Sequence, residues 1–240
     1  MKIRRLTFPQ DQPRPEPGDL VPLDPVQSRH GLTVLRLKPG QILELAGPWG
    51  LAQATVEKLP AERCPLVLWV RLISPFTSNA LTAPGPQLGL ALIKGPRFDW
   101  AVEKAAELGA ASLTPLTTKR TVSTGQGHLK HSRWQRLAEE ARKQCGRPTS
   151  MTVDQPQELS EFLMRSASGP KLVLDISGGP APPAPGGEGT LVVGPEGGLT
   201  EDELNLATEA GFTLVSLGPI RLRSETASLA ALAWWLGLGR

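Results

Sequence analysis

Cysteine is scarce in this 240-residue sequence: Cys64 and Cys145 are the only two, far apart, and neither has a His or a second Cys at metal-ligand spacing. That pattern argues against a metal site and allows at most one disulfide. Met1 to Pro9 has no apolar core of signal-peptide length, so the expectation is reduced thiols in a soluble, cytoplasmic protein. The most apolar stretch, Ala227 to Gly239, is shorter than the ~20 residues a membrane helix needs. Two phosphate-binding fingerprints are missing too. No Gly-Lys-Ser/Thr follows the Gly-rich segment at Gly194, which excludes a Walker A loop there, and the GxGxxG pattern is absent from it.

What is present fits two ordinary domains, with 40% hydrophobic residues to build their cores. The 26 Lys and Arg against 23 Asp and Glu give a formal charge of +3, divided unevenly. Residues 1–86 carry 10 basic and 7 acidic side chains, residues 87–150 carry 11 and 5, and residues 151–240 carry 5 and 11. The resulting +3, +6 and −6 place the basic surface in the first two thirds. Such asymmetry suits a chain that meets a polyanion with one region and does other work with another, although chance clustering on solvated helix faces gives the same counts.

Residues 1–73 read as short strands between turns, the pattern of a small β-barrel or sandwich. Strands are expected at Leu32–Leu37, just after Ser28-Arg29-His30, at Gln41–Leu45, at Ala52–Val56 and, past Pro60, at Leu66–Leu72. Residues 74–86 have linker chemistry, ending in Ala83-Pro84-Gly85-Pro86, where prolines deny donors to a sheet ladder. From 87 to 240 strands alternate with helices, which predicts an α/β domain with a largely parallel sheet. Expected strands are Leu88–Ile93, Ser112–Leu116, Met151–Val153, Lys171–Ile176, Leu191–Val193 and Thr213–Leu217. Expected helices are Phe98–Leu108, stopped by Gly109; Leu129–Cys145, stopped by Gly146; Glu158–Ser166; Thr200–Ala210; and Glu225–Leu236. Thr200 with Glu203 forms a capping box, and the Gly/Pro-rich Ser177–Gly189 reads as a flexible surface loop.

Two segments have the composition of a site. Gly194-Pro195-Glu196-Gly197-Gly198 lets a backbone approach a ligand closely, near the amino end of the Thr200 helix. A tight strand-to-helix turn without a ligand has the same composition. Leu217-Gly218-Pro219-Ile220-Arg221-Leu222-Arg223-Ser224-Glu225-Thr226-Ala227 crowds charge beside an apolar helix, where it must be paired, solvated or used. An Arg223–Glu225 pair is the purely structural account. Both segments follow strands, at the edge where open α/β sheets bind ligands.

Together these motifs resemble the RsmE-type 16S ribosomal RNA (uracil-N3)-methyltransferases of the SPOUT superfamily. The resemblance extends upstream, in order and spacing, through Lys104-Ala105-Ala106-Glu107-Leu108-Gly109, Pro115-Leu116 with Arg120, Arg133-Trp134, Glu140-Ala141 with Gln144, and Gly146-Arg147. The stretch from His30 to Gly40 is similar to that family's RNA-binding PUA-like barrel. The resemblance implies a PUA-like domain over 1–73, a linker over 74–86 and a trefoil-knotted SPOUT methyltransferase domain over 87–240. It further implies a homodimer that binds S-adenosyl-L-methionine and acts on 16S rRNA, free or within the assembled small ribosomal subunit.

The family's cofactor loops map onto Leu174 at the end of its strand, onto Gly194, Pro195, Glu196, Gly197 and Gly198, and onto Leu217, Gly218, Pro219 and Leu222. RNA contacts are expected from Arg29, Lys119, Arg120, Arg133, Lys143 and Arg147. Trp234 and Trp235 belong to the core or the dimer contact. Methylation at N3 removes a weakly acidic imide proton and spreads negative charge over the flanking carbonyl oxygens. A fixed guanidinium suits that charge, so Arg223 is the catalytic candidate, with Glu225 to orient it or assist proton removal. The family's usual order is Arg then Ile before the Leu-Arg pair. Here it is Ile220-Arg221, which displaces that arginine by one residue and leaves Arg221 unassigned. Two other readings stay open: a related knotted methyltransferase with another RNA or base as target, and a non-catalytic RNA-binding assembly factor.

Overall fold

A computed structural model of the chain describes residues 4–9, 12–58, 67–77, 85–121, 127–145, 147, 149–165 and 168–237. The chain divides into two units, Met1–Ala83 with Cys145–Thr149, and Pro84–Gln144 with Ser150–Arg240. Cys64, Pro60, the Gly146 helix stop and most of the expected linker, 78–84, lie outside the described residues.

The first unit is built on β1 (Arg5–Thr7), β2 (Leu20–Pro22), helix α1 (Pro25–Arg29), β3 (Ile42–Gly47), β4 (Gly50–Lys58) and β5 (Trp69–Leu72). The sheet order is β1-β3-β4-β5-β2, antiparallel except for the β1–β3 pair. Alternate residues face inward, so Leu43 and Leu45 of β3 pack with Ala52, Ala54 and Val56 of β4 and with Val70 and Leu72 of β5. Phe8, Trp49 and Phe76 close one end, with ring centroids 5.5 to 5.9 Å apart.

The strand expected at Leu32–Leu37 does not form. Asp24 caps α1 by accepting from the Val26 and Gln27 amides at 2.8 and 2.9 Å, and Pro25 presets the first helical residue. The chain then continues as a wide turn over His30–Val34, closed by Leu35 N–H donating to the His30 carbonyl at 3.0 Å. Apolar residues at 32, 35 and 37 fit either period, and the Asp-Pro start decides for the helix. Ser28, fully buried, anchors it by donating to the Leu23 carbonyl and accepting from the Leu68 amide.

The second unit contains β6 (Gln87–Ala91), α2 (Arg97–Leu108), β7 (Ser112–Thr117), α3 (Gly127–Cys145), β8 (Thr152–Val153), β9 (Gln157–Glu158) and α4 (Leu159–Leu163), followed by β10 (Lys171–Pro180), β11 (Thr190–Val193), α5 (Glu201–Glu209), β12 (Thr213–Ser216) and α6 (Ser224–Trp235). Its sheet runs β12-β10-β11-β6-β7-β8, with β9 also on β7, and every pairing is parallel. Such strands are buried on both faces, which their continuous apolar runs encode. Leu88, Leu90, Leu113, Leu191 and Val215 meet Phe98 and Val102 of α2, Trp134 of α3, and Leu232 and Trp235 of α6. On the other face Leu116, Val173 and Val192 meet Phe162 of α4 and Ala207 of α5. The result is a sheet between two helical layers.

Of the flexible surface loop expected over Ser177–Gly189, only the first part differs, since residues 181–189 belong to no helix or strand. Ser177–Pro180 continues β10, which shifts register after Leu174 and pairs Gly179 with Val215. A Cβ on Gly178 would stand 2.6 Å from the Val215 nitrogen, so glycine permits the overlap that composition alone reads as flexibility. Farther along, Gly186 donates to the Trp235 carbonyl and the Trp235 indole donates to the Gly187 carbonyl. The α4 helix is also shorter than expected, because Glu158 belongs to β9, while Ser166 lies outside the described residues. No helix among the described residues is long and apolar enough to cross a membrane.

Candidate active site

Because β12, β10 and β11 are adjacent and parallel, their carboxyl ends open side by side. The middle of β10 and the loops leaving β11 and β12 line a cavity of about 120 Å³. Its walls include Leu174, Asp175 and Ile176 at the register shift within β10, Gly194, Pro195, Glu196 and Gly198 after β11, and Leu217, Gly218, Ile220, Arg221 and Leu222 after β12. Ser224 and Ala227 of α6 complete it. Of the cofactor residues expected from sequence, Gly197 and Pro219 are not in this wall. Pro219 instead lines a neighbouring apolar groove with Pro180, Ala230 and Trp234.

The β11 loop is shaped by its glycines. Gly198 donates to the Pro195 carbonyl at 2.8 Å and adopts φ +71°, a left-handed conformation that costs any other residue. A Cβ on Gly197 would only reach ordinary contact, 3.4 Å from the Arg120 Cδ. Gly198→Ala should therefore lose about 1 kcal/mol of stability and Gly197→Ala less, which thermal denaturation of the two variants will compare.

The basic turn after β7 is stitched to this loop. Arg120 donates through Nη1 to the carbonyls of Gly197 at 2.7 Å and Leu199 at 3.3 Å. Glu203, 7% exposed, accepts from the Lys119 amide at 2.8 Å and, on its other oxygen, from the Thr200 amide at 2.7 Å, completing the capping box that starts α5. The Lys119 ammonium lies 2.6 Å from Asp202. That hydrogen bond raises the lysine's pKa and lowers the aspartate's, and since both groups face solvent the pair adds little stability.

The charges at the start of α6, Arg223 and Glu225, do not pair with each other. Glu225 is buried, and its nearest cation is Arg97 of α2, with Nε 3.9 Å from Oε1. Its other oxygen, Oε2, has no hydrogen-bond partner. Arg223, exposed and in extended conformation just before α6, has a guanidinium without a hydrogen-bond or ion-pair partner among the described residues. The Arg223–Glu225 pair is therefore not formed. Among the described residues no group of three His, Cys, Asp or Glu is placed to hold a metal ion.

A family model for an RNA methyltransferase domain matches residues 85–236. The ribosomal RNA small subunit methyltransferase E of Synechocystis is 33% identical over 89% of this chain and 71% of its own length. The chain belongs to the ribosomal RNA small subunit methyltransferase E family. The Bacillus subtilis member is 29% identical over 85% of this chain and 84% of its own. The crystal structure of the Neisseria gonorrhoeae member bound to S-adenosyl methionine superposes with a TM-score of 0.71, at 30% identity, covering 97% of this chain and 96% of that one.

Against the residues that this family's RNA would be expected to touch, the placements divide. Arg29 is exposed at the end of α1. Arg133 is half-exposed and paired with Asp99 at 2.8 Å, and Asp99 also accepts from the Trp134 indole. Lys143 lies 3.6 Å from Glu139 on α3. Arg147 is buried, and that burial lowers the pKa of its guanidinium. Arg120 serves the β11 loop, a role that sequence reasoning missed because its partners lie 77 and 79 residues away. Arg97 was missed altogether. The sequence signal for it is its position at the start of an amphipathic helix following a strand end.

Proposed function

We propose that this chain transfers a methyl group from S-adenosyl-L-methionine to N3 of a uridine in 16S ribosomal RNA. The observation that carries the reading is the unpartnered Arg223 guanidinium, set between Leu222 and Ser224, two residues of the cavity wall. The wall fits the cofactor chemically. Leu174, Val193, Leu217 and Leu222 offer an apolar slot for a flat base, and Asp175, Glu196 and Ser216 offer polar groups to a charged tail. A Cβ at Gly218 would meet nothing within 4 Å, so that part of the rim is open.

When bound, S-adenosylmethionine supplies a methyl group made electrophilic by its sulfonium. The protein's part is to hold the uracil and manage charge. Loss of the imide proton leaves negative charge on the carbonyl oxygens flanking N3, and Arg223, free of protein partners, stabilises it. We assign Glu225, buried next to the wall residue Ser224 and facing Arg97, to assist removal of that proton. A paired uridine must leave its duplex first, since N3 lies on the Watson–Crick edge.

We assign 1–73 as a PUA-like RNA-binding barrel, 74–86 as a linker whose first residues, through Phe76, pack back on the barrel core, and 87–240 as a trefoil-knotted SPOUT domain. The β12-β10-β11 order, with all three strands contributing to one cavity, supports the last assignment. The apolar groove with Ile176, Pro219, Leu222 and Trp234 supports a homodimer. A cytoplasmic enzyme acting on 16S rRNA, free or within the small subunit, completes the reading.

Titration calorimetry with S-adenosylmethionine should give one site per chain, and a folded protein that binds none would sink the proposal. Nucleoside mass spectrometry of small-subunit RNA treated with the protein should show 3-methyluridine. Methyl transfer to a different nucleoside would leave the enzyme class standing and reject the target.

A further inference from the structure

Arg97 lies outside every motif discussed above, yet it joins two of them. It is the first residue of α2, a helix packed beside α6. Its Nη1 donates to Glu196 Oε1 at 3.3 Å, and its Nε stands 3.9 Å from Glu225 Oε1. Glu196 belongs to the cavity wall after β11, and Glu225 follows the wall residue Ser224 on α6. One guanidinium thus spans the cofactor loop and the helix that carries the buried carboxylate.

The arrangement has a chemical logic. A carboxylate buried as deeply as Glu225 needs a counter-charge, and Arg97 is the only cation within 4 Å of it among the described residues. With Oε1 turned to Arg97, Oε2 is left without a partner. A planar five-donor fork can serve two carboxylates at fixed angles, which a lysine ammonium cannot reproduce. Arg97 itself remains 43% exposed, so its pairs are partly solvated and should matter more to geometry than to folding.

We propose that Arg97 is a positioning residue for methyl transfer, holding Glu196 of the cofactor loop and Glu225 of α6 in register across the cavity. The proposal rests on the reading of that cavity as the S-adenosylmethionine site and of Glu225 as a working carboxylate. It differs from a stability role, which would show in melting temperature and leave the kinetic constants of the folded enzyme alone.

The test uses the full chain with Arg97→Gln, Arg97→Lys, Glu225→Gln and the double variant Arg97→Gln/Glu225→Gln. Melting temperature, S-adenosylmethionine affinity by calorimetry, and kcat and KM on small-subunit RNA are read for each. Arg97→Gln should lower kcat at saturating substrates by about 10-fold or more, since small misplacements near the chemistry cost up to ~10²-fold. It should also weaken cofactor binding several-fold and lower the melting temperature modestly, a fall that Glu225→Gln in the double variant restores. Arg97→Lys should recover part of the loss, and Arg97→Gln should cost little further kcat once Glu225 is already Gln. Wild-type kcat and cofactor affinity in Arg97→Gln would overturn the proposal, as would a loss that multiplies independently with that of Glu225→Gln. If the unaltered protein binds no S-adenosylmethionine or methylates no RNA, the underlying reading falls and takes this one with it. An active wild type with an indifferent Arg97 rejects only this one.

Discussion

Arg223→Ala should leave S-adenosylmethionine affinity near the wild-type value and lower kcat on small-subunit RNA by about 10²–10³-fold. The asymmetry follows from placement. Arg223 is exposed and absent from the cavity wall, so removing it takes nothing from the cofactor. Its guanidinium has no partner among the described residues, and its side chain does not cap α6, so the fold loses nothing either. Stability should change by no more than about 0.5 kcal/mol. What disappears is a cationic donor for charge that exists only as the reaction proceeds, which is felt in kcat rather than in binding. Arg223→Lys restores a charge without the fork and should recover only part of the rate. Calorimetry and single-turnover methylation separate the two effects. Full turnover in Arg223→Ala would remove the assigned role and direct attention to Arg221, the neighbouring arginine that does line the cavity.

How far this site could be read from the sequence depended on the range of the interaction. The capping box at Thr200 and Glu203 is local, and it forms as its spacing predicts. Gly109 stops α2 with φ +100°, again a local matter. Strands flanked by glycine turns identified the loops after β11 and β12, because chain direction alone places a loop after the carboxyl end of its strand. The failures are all at longer range or at local ties. Leu32–Leu37 carries a pattern compatible with strand and helix, and Asp24-Pro25 tips it. Ser177–Pro180 looks like a loop until β12 is beside it. Arg120 reads as an RNA contact, and its bond to the β11 loop, 77 residues on, is a further contact that no local spacing contains. The expected Arg223–Glu225 alternative failed for the same reason: Glu225 finds its cation on α2, which no spacing argument within its own segment contains.

Glu203→Ala should be among the most damaging polar substitutions in the second unit, at about 2–4 kcal/mol, because it strips acceptors from two backbone amides at once. Lys119 N–H and Thr200 N–H each point at a Glu203 oxygen, at 2.8 and 2.7 Å, and the carboxylate is only 7% exposed. Thr200→Ala removes the reciprocal half of the capping box and should cost about 1 kcal/mol, so the excess measures the two amide bonds, from Lys119 and Thr200, that the Glu203 carboxylate accepts. Glu203→Gln keeps one oxygen and can serve one amide, which places it between the two. The cofactor site should register the same hierarchy. Lys119 precedes Arg120, whose bonds to the Gly197 and Leu199 carbonyls shape the β11 loop, so releasing the Lys119 amide loosens the loop as well as α5. Thermal denaturation should show the order Thr200→Ala, Glu203→Gln, Glu203→Ala, and S-adenosylmethionine affinity should fall in that order. Equal affinities across the series, with the melting order intact, would mean that the loop is held by its own glycines and Arg120 alone.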